Sequence, residues 1–227
     1  MIEPVETLAL PTSLDALAIA VGAISGALHA RRRRMDLMGI LVVSFCAALG
    51  GGVIRDILLV SGPPVFLTSS TFLLYAIVGT AIGWAFSGLM SRASMLIEVI
   101  DGLFIGVWVL VGATKALSNG LGFGSAVLVA VITATGGSLL RDIFSGERPA
   151  VLLPGQWIAA AALVGATTFT AAFWTTGDLL VAEILCIIIT STVRMVSAAF
   201  DLQTPMPMDL SQRRSRRADM LTRPSST

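Results

Sequence analysis

The sequence is short of charge, of histidine and of lysine, and each shortage removes a class of function. Only 13% of its 227 residues are charged, against roughly a quarter in a soluble domain. A greasy soluble protein is therefore a poor description. With His29 as its one histidine, the chain offers no His-based triad and no His/Cys metal cluster, and no glycine loop leads from a strand into a helix. We read a non-enzyme with no cofactor and no metal site. The two cysteines, Cys46 and Cys186, lie inside apolar runs and read as small buried hydrophobes, not as a disulfide or a metal pair. Lys115 is the one lysine, every other basic residue being arginine. A basic start is missing too: MIEPVETLALPTSLD is acidic and holds Pro4 and Pro11, so it is not a signal peptide and the first span is expected to be retained.

What is abundant is apolar residue, 55% of the chain, with a mean hydropathy of +0.87. A helix crossing ~30 Å of hydrocarbon needs ~20 apolar residues. Seven such stretches are predicted, at 14–30, 37–60, 70–90, 95–117, 121–144, 155–174 and 178–199, separated by turn signals such as Gly62-Pro63-Pro64, Ser118-Asn119-Gly120 and Gly146-Glu147-Arg148-Pro149. The fold class is all-α and polytopic. Arginine sets the orientation. One set of connections carries Arg31 to Arg34, Arg92, Arg148 and the tail arginines Arg213, Arg214, Arg216, Arg217 and Arg223, and the opposite set carries none. The amino terminus is thus expected outside and the carboxyl terminus in the cytoplasm. Residues 201–227 form a basic cytoplasmic tail, read as a topology anchor that touches anionic headgroups and not as a nucleic-acid arm.

Sliding the chain by 86 residues lays 15–67 on 101–153 without a gap and gives 17 identities in 53 positions. Asp15 falls on Asp101, Gly50-Gly51 on Gly136-Gly137, Arg55-Asp56-Ile57 on Arg141-Asp142-Ile143, Pro63 on Pro149, and His29 on Lys115. Residues 1–200 are read as one membrane domain, with repeat 1 at 14–90, repeat 2 at 95–174 and a seventh helix at 178–199 outside the repeat. Three spans is an odd number, so the second copy enters from the other side: an inverted repeat of the kind transport proteins use.

The second and fifth spans each carry a glycine site, Gly50-Gly51-Gly52 and Gly136-Gly137-Ser138, followed by an Arg-Asp pair. Consecutive glycines permit a bend or break, and a broken helix is tolerated in lipid only against protein or a water-filled cavity. Close helix packing through small residues is the other reading of the same glycines. Ionic groups in a span are costly unless paired or hydrated. Neighbouring residues on a helix point ~100° apart, so the pattern predicts that Arg55, Asp56, Arg141 and Asp142 pair across the repeat axis, as a crossed charge cluster lining an aqueous path. Interface anchoring by snorkelling is the plainer alternative. Asp15 and Asp101 open the first and fourth spans and His29 and Lys115 close them; each is read either as a helix-dipole partner or as a pore-side charge.

The twin glycine sites, each followed by Arg-Asp-Ile in a three-plus-three-plus-one arrangement, resemble the prokaryotic branch of the trimeric intracellular cation (TRIC) channel family, a domain also labelled a glycine transporter. The resemblance covers about 14–199. It implies a homotrimer in the bacterial inner membrane, with a pore in each protomer for monovalent cations (K⁺, Na⁺), membrane lipids as neighbours and no nucleic-acid partner. It implies that the constriction lies where the second and fifth helices meet, at Gly50, Gly51, Gly52, Gly136 and Gly137, with Ser138 where a third glycine often sits. Animal members carry Lys-Glu-Val where this chain has Lys115-Ala116-Leu117. A carrier for a small zwitterion such as glycine is the alternative that inverted repeats also accommodate.

Overall fold

The computed structural model describes residues 12–90, 94–155, 157–200 and 202, without the side chains of 12–14, 89, 90, 94–101 and 103. The acidic amino terminus, Arg92, the Asp101 side chain and the tail arginines lie outside the described residues.

Every regular element among the described residues is helical: α1 (Thr12–Arg32), α2 (Leu37–Leu58), α3 (Val65–Thr68), α4 (Ser70–Ala85), α5 (Ser87–Met90), α6 (Ser94–Ser118), α7 (Phe123–Phe144), a 3₁₀ turn at Ala150–Leu152, α8 (Ile158–Thr176) and α9 (Leu179–Ala199). The chain is a polytopic membrane protein, with α1, α2, α4, α6, α7, α8 and α9 as the seven spans of an inverted repeat plus one helix. Within the described residues α2, α7, α8 and α9 are each long and apolar enough to cross a bilayer, and Ser70–Ala85 and Phe104–Ser118 are shorter apolar helices. Most helix ends differ from expectation by a few residues, and two of the differences have a visible structural basis. The second span stops at Leu58, because Val60 turns left-handed (φ 51°). The third, expected to run to 90, ends at its C-cap Phe86 and hands over to the four-residue α5.

The repeat survives into the backbone. α2 and α7 begin and end 86 residues apart, 37 to 58 against 123 to 144. The turns that close the first two helices of each repeat also match. Met35 N–H donates to the Ala30 carbonyl (3.2 Å) and Leu121 N–H to Ala116 (3.1 Å); Ser61 N–H donates to Asp56 (3.2 Å) and Glu147 N–H to Asp142 (2.9 Å). Such turns need a left-handed residue. Repeat 2 supplies Gly120 and Gly146 (both φ 75°), whereas repeat 1 forces Arg34 (φ 57°) and Val60 (φ 51°) into the same conformation.

Packing inside the bundle rests on small residues. A Cβ at Gly26 would lie 2.6 Å from the Ser44 Cα, and one at the equivalent Gly112 would lie 2.7 Å from the Ala130 Cα. Such close backbone approach replaces the hydrophobic effect, which lipid does not provide between helices. Buried hydroxyls turn back on their own helix: Thr80, Thr133 and Thr170 donate to the carbonyl four residues earlier at 2.7, 2.7 and 2.8 Å. Large apolar side chains face outward instead, among them Leu74, Ile77 and Val78 on α4 and Leu180, Ile184 and Ile188 on α9.

Candidate functional site

α2 and α7 join the two repeats by crossing at their glycines. A Cβ at Gly51 would fall on the Thr133 carbonyl oxygen, and one at Gly137 on the Ala47 carbonyl oxygen; the two contacts map onto each other through the repeat. Between them, a Cβ at Gly136 would meet the Gly51 Cα at 3.1 Å, and one at Gly50 would meet Leu140 Cδ1 at 2.7 Å. Both helices run unbroken through these positions, so the break that consecutive glycines permit is not made. What the glycines allow is backbone contact. Gly52 and Ser138 face away from the crossing: a Cβ at Gly52 would meet only Arg55 Nη2, at 3.7 Å, and the Ser138 hydroxyl donates to the Thr135 carbonyl (2.9 Å).

Two cavities flank the crossing, of ≈ 80 Å³ and ≈ 30 Å³. A water needs roughly 10–15 Å³ on this measure, so both have room for it. Ala134, Ser138 and Arg141 on α7 line the larger, together with Ser25 on α1 and with Gly51, Thr133 and Gly137 from the crossing itself. Ala48, Gly52 and Arg55, the repeat equivalents of the first three, line the smaller, with Asp15 and Asp56. Trp108 on α6 lines both.

Each cavity borders the arginine of an Arg-Asp pair, and here the structure corrects the expected crossed pairing. Arg55 binds its own neighbour, Nε and Nη2 lying 2.9 and 2.8 Å from Asp56 Oδ1. Arg141 does the same with Asp142 Oδ1, at 2.9 and 2.9 Å. The ~100° between adjacent side chains is overcome by the arginine's flexible three-methylene stem. The carboxylates are held in place by the chain beyond the helix: Asp56 Oδ2 accepts from Val65 N–H (3.1 Å) and Asp142 Oδ2 from Ala150 N–H (2.9 Å). Arg55, Asp56 and Asp142 are buried, at 4%, 2% and 2% exposure, which excludes headgroup anchoring for those three.

Contact across the repeat axis comes instead from the residues that close the first helix of each repeat. Lys115 Nζ lies 3.5 Å from Asp56 Oδ1. His29 Nε2 lies 3.4 Å from Glu147 Oε2, and Arg33 pairs with the other oxygen of Glu147. Asp15 joins the Lys115 end, where its Oδ1 is buried without a hydrogen-bond partner among the described residues. Two further charged residues were not singled out from sequence. Glu147 read only as part of a turn, and its reach to His29 is a long-range contact with no local signature. Arg194 on α9 is buried, with Nε and Nη1 lacking hydrogen-bond partners among the described residues; an arginine inside a span was the available signal.

Comparison with known proteins sets this architecture in context. The family model described as glycine transporter matches the chain twice, over residues 12–88 and 98–174, a displacement of 86 residues that reproduces the internal repeat. A membrane protein of Deinococcus radiodurans is 35% identical over 67% of this chain and 72% of its own length. The Escherichia coli inner membrane protein YadS is 32% identical over 85% of this chain and 93% of its own. Among solved structures, a TRIC cation channel studied for its conductance superposes with a TM-score of 0.81 at 29% identity, covering 88% of this chain and 98% of that one. The TRIC orthologue from Rhodobacter sphaeroides does so at 0.78 and 26%, covering 84% and 98%.

Proposed function

The chain belongs to the family of membrane proteins that the glycine-transporter model describes and that includes the TRIC cation channels; from that premise we propose that it is a channel for monovalent cations, K⁺ first among them, with one path through each protomer of a homotrimer in the inner membrane. The path runs from the cavity beside Arg141, across the contact of α2 with α7 at Gly51 and Gly137, to the cavity beside Arg55. Its amino terminus lies outside and its carboxyl tail in the cytoplasm, which puts the Arg141 end on the cytoplasmic side.

One observation carries this reading: two repeat-related cavities meet at a glycine crossing, and each borders an arginine whose charge is matched. Bare arginines at a constriction would repel cations. Here each guanidinium has a carboxylate at 2.8–2.9 Å, so neither stands as a free positive barrier. Outward displacement of the α2–α7 contact would join the cavities.

Purified protein in planar bilayers under asymmetric KCl tests the proposal. Unitary currents with a cation-signed reversal potential support it. Silence, together with saturable counterflow of labelled glycine in vesicles, would overturn it in favour of the carrier that the family description names. Two separate cavities divided by a closed contact are the feature that a carrier would share.

A further inference from the structure

The two ends of the charged path are copies of one template that differ in two places, and both differences act in the same direction. At one end Asp56 faces the ammonium of Lys115, and the turn beyond it carries the neutral Ser61. At the other end, His29 occupies the Lys115 position and Glu147 the Ser61 position. An ammonium has become an imidazole, which can present a nitrogen lone pair, and a hydroxyl has become a carboxylate. The equivalence is structural as well as sequential, since Ser61 and Glu147 make the same N–H contact to the carbonyls of Asp56 and Asp142.

We propose that His29, Asp142 and Glu147 form a binding site for a divalent cation of the zinc class, filling the place that Lys115 fills at the opposite end. One ligand atom from each residue lies within 4.8 Å of the other two. His29 Nε2 and Glu147 Oε2 are 3.4 Å apart, the edge of a tetrahedron with Zn–N and Zn–O bonds of ~2.0–2.1 Å. His29 Nε2 is a buried atom without a hydrogen-bond partner among the described residues, and the guanidinium of Arg33 occupies Glu147 Oε1. Arg141 and the Ala150 amide already use Asp142, but each carboxylate oxygen keeps a second lone pair. Arg33 reaches Glu147 with a side chain that is 55% exposed and can be released to water. Imidazole with two carboxylates selects Zn²⁺ over the oxygen-loving Mg²⁺ and Ca²⁺. The ligands come from the end of α1 and from the end of α7 with its following turn, so a bound ion ties the two repeats together.

The test is Zn²⁺ binding to the full chain in detergent, on a Cys46→Ser background that removes the half-buried thiol. It needs no current and stands apart from the channel assay. One Zn²⁺ per chain is expected, with at least a tenfold loss of affinity in His29→Lys, which recreates the opposite end, and in Glu147→Gln. Co²⁺ in place of Zn²⁺ should give a tetrahedral absorption band that both variants lose. Elution and melting without metal check that the variants fold, and Glu147→Gln, on a turn, serves if His29→Lys does not. Equal stoichiometry and affinity in wild type and either folded variant, or no binding to wild type, would overturn the proposal.

Discussion

Gly51 and Gly52 are neighbours in one helix, yet alanine should have opposite effects at the two positions. At Gly51 the new Cβ falls on the Thr133 carbonyl oxygen, part of the α7 backbone and unable to turn aside. The whole α2–α7 spacing would have to open. Overpacking of this kind costs about 1–3 kcal/mol, and a rigid backbone obstacle puts it at the upper end. Alanine regains about 1 kcal/mol of helix propensity over glycine, leaving a net loss of about 2 kcal/mol. For a chain of this size that lowers the melting temperature by about 4–8 °C. At Gly52 the Cβ meets only Arg55 Nη2, the end of a flexible side chain, at 3.7 Å. The propensity gain is then uncompensated, and the melting temperature should rise by about 2–4 °C. Thermal unfolding of Gly51→Ala and Gly52→Ala in one detergent decides the matter. If Gly51→Ala melts at or above wild type, or if both variants are destabilised alike, the glycines serve flexibility and the close-contact account of the crossing is wrong.

Three further expectations follow from the same geometry. Asp56→Asn strands the Arg55 guanidinium (4% exposed); breaking a buried pair costs about 3–5 kcal/mol. Asp142→Asn should cost less because Arg141 is 18% exposed, an order that paired melting curves would check. Val60→Gly removes a β-branched residue from φ 51°, and relief of about 1–2 kcal/mol should raise the melting temperature by about 2–8 °C; an unchanged or lower value would show that the turn is not strained. With Cys46 and Cys186 replaced by serine, Ser25→Cys and Ser138→Cys, both lining the larger cavity, should react with a water-soluble thiol reagent, whereas Leu74→Cys on the outer face of α4 should not. Protection of both cavity positions would remove the case for an aqueous path.

How much of this was legible in the sequence depended on the range of the interaction concerned. Spans are a property of composition over a window, and the repeat is a property of identical residues at a fixed offset, so both could be read directly; the helix ends of α2 and α7 keep that offset to the residue. The glycine sites were legible as special but not as to purpose. A glycine run permits bending and close approach equally, and it is the partner helix, with Thr133 and Ala47 waiting at the contact, that makes the close approach visible. The Arg-Asp pairing was misjudged because the ~100° rule describes where side chains leave the helix and not where a long one ends. Nothing near Asp56 or Asp142 in sequence announced that Val65 N–H and Ala150 N–H would return to pin the carboxylates.

An inverted repeat by itself would make the two ends of the molecule electrically alike, and this chain departs from that symmetry in a coordinated way. One end gathers Arg55, Asp56 and Lys115, with Asp15 beside them; the other gathers Arg141, Asp142, Glu147 and His29, with Arg33 reaching in. Leaving out Asp15 and Arg33, and taking His29 as neutral, the first set sums to +1 and the second to −1. Asp15 on the first side and Arg33 on the second bring both sums to zero, so the ends differ in which groups carry the balance. The closures restore balance by different means. At the Lys115 end the compensating carboxylate is Asp15, a half-buried residue whose Oδ1 lies inside the protein. At the His29 end the compensating cation is Arg33, on a side chain more than half exposed, which water or an ion can replace. The symmetric scaffold supplies the crossing, and the asymmetry of its ends leaves one balanced by a half-buried carboxylate and the other by an exposed arginine.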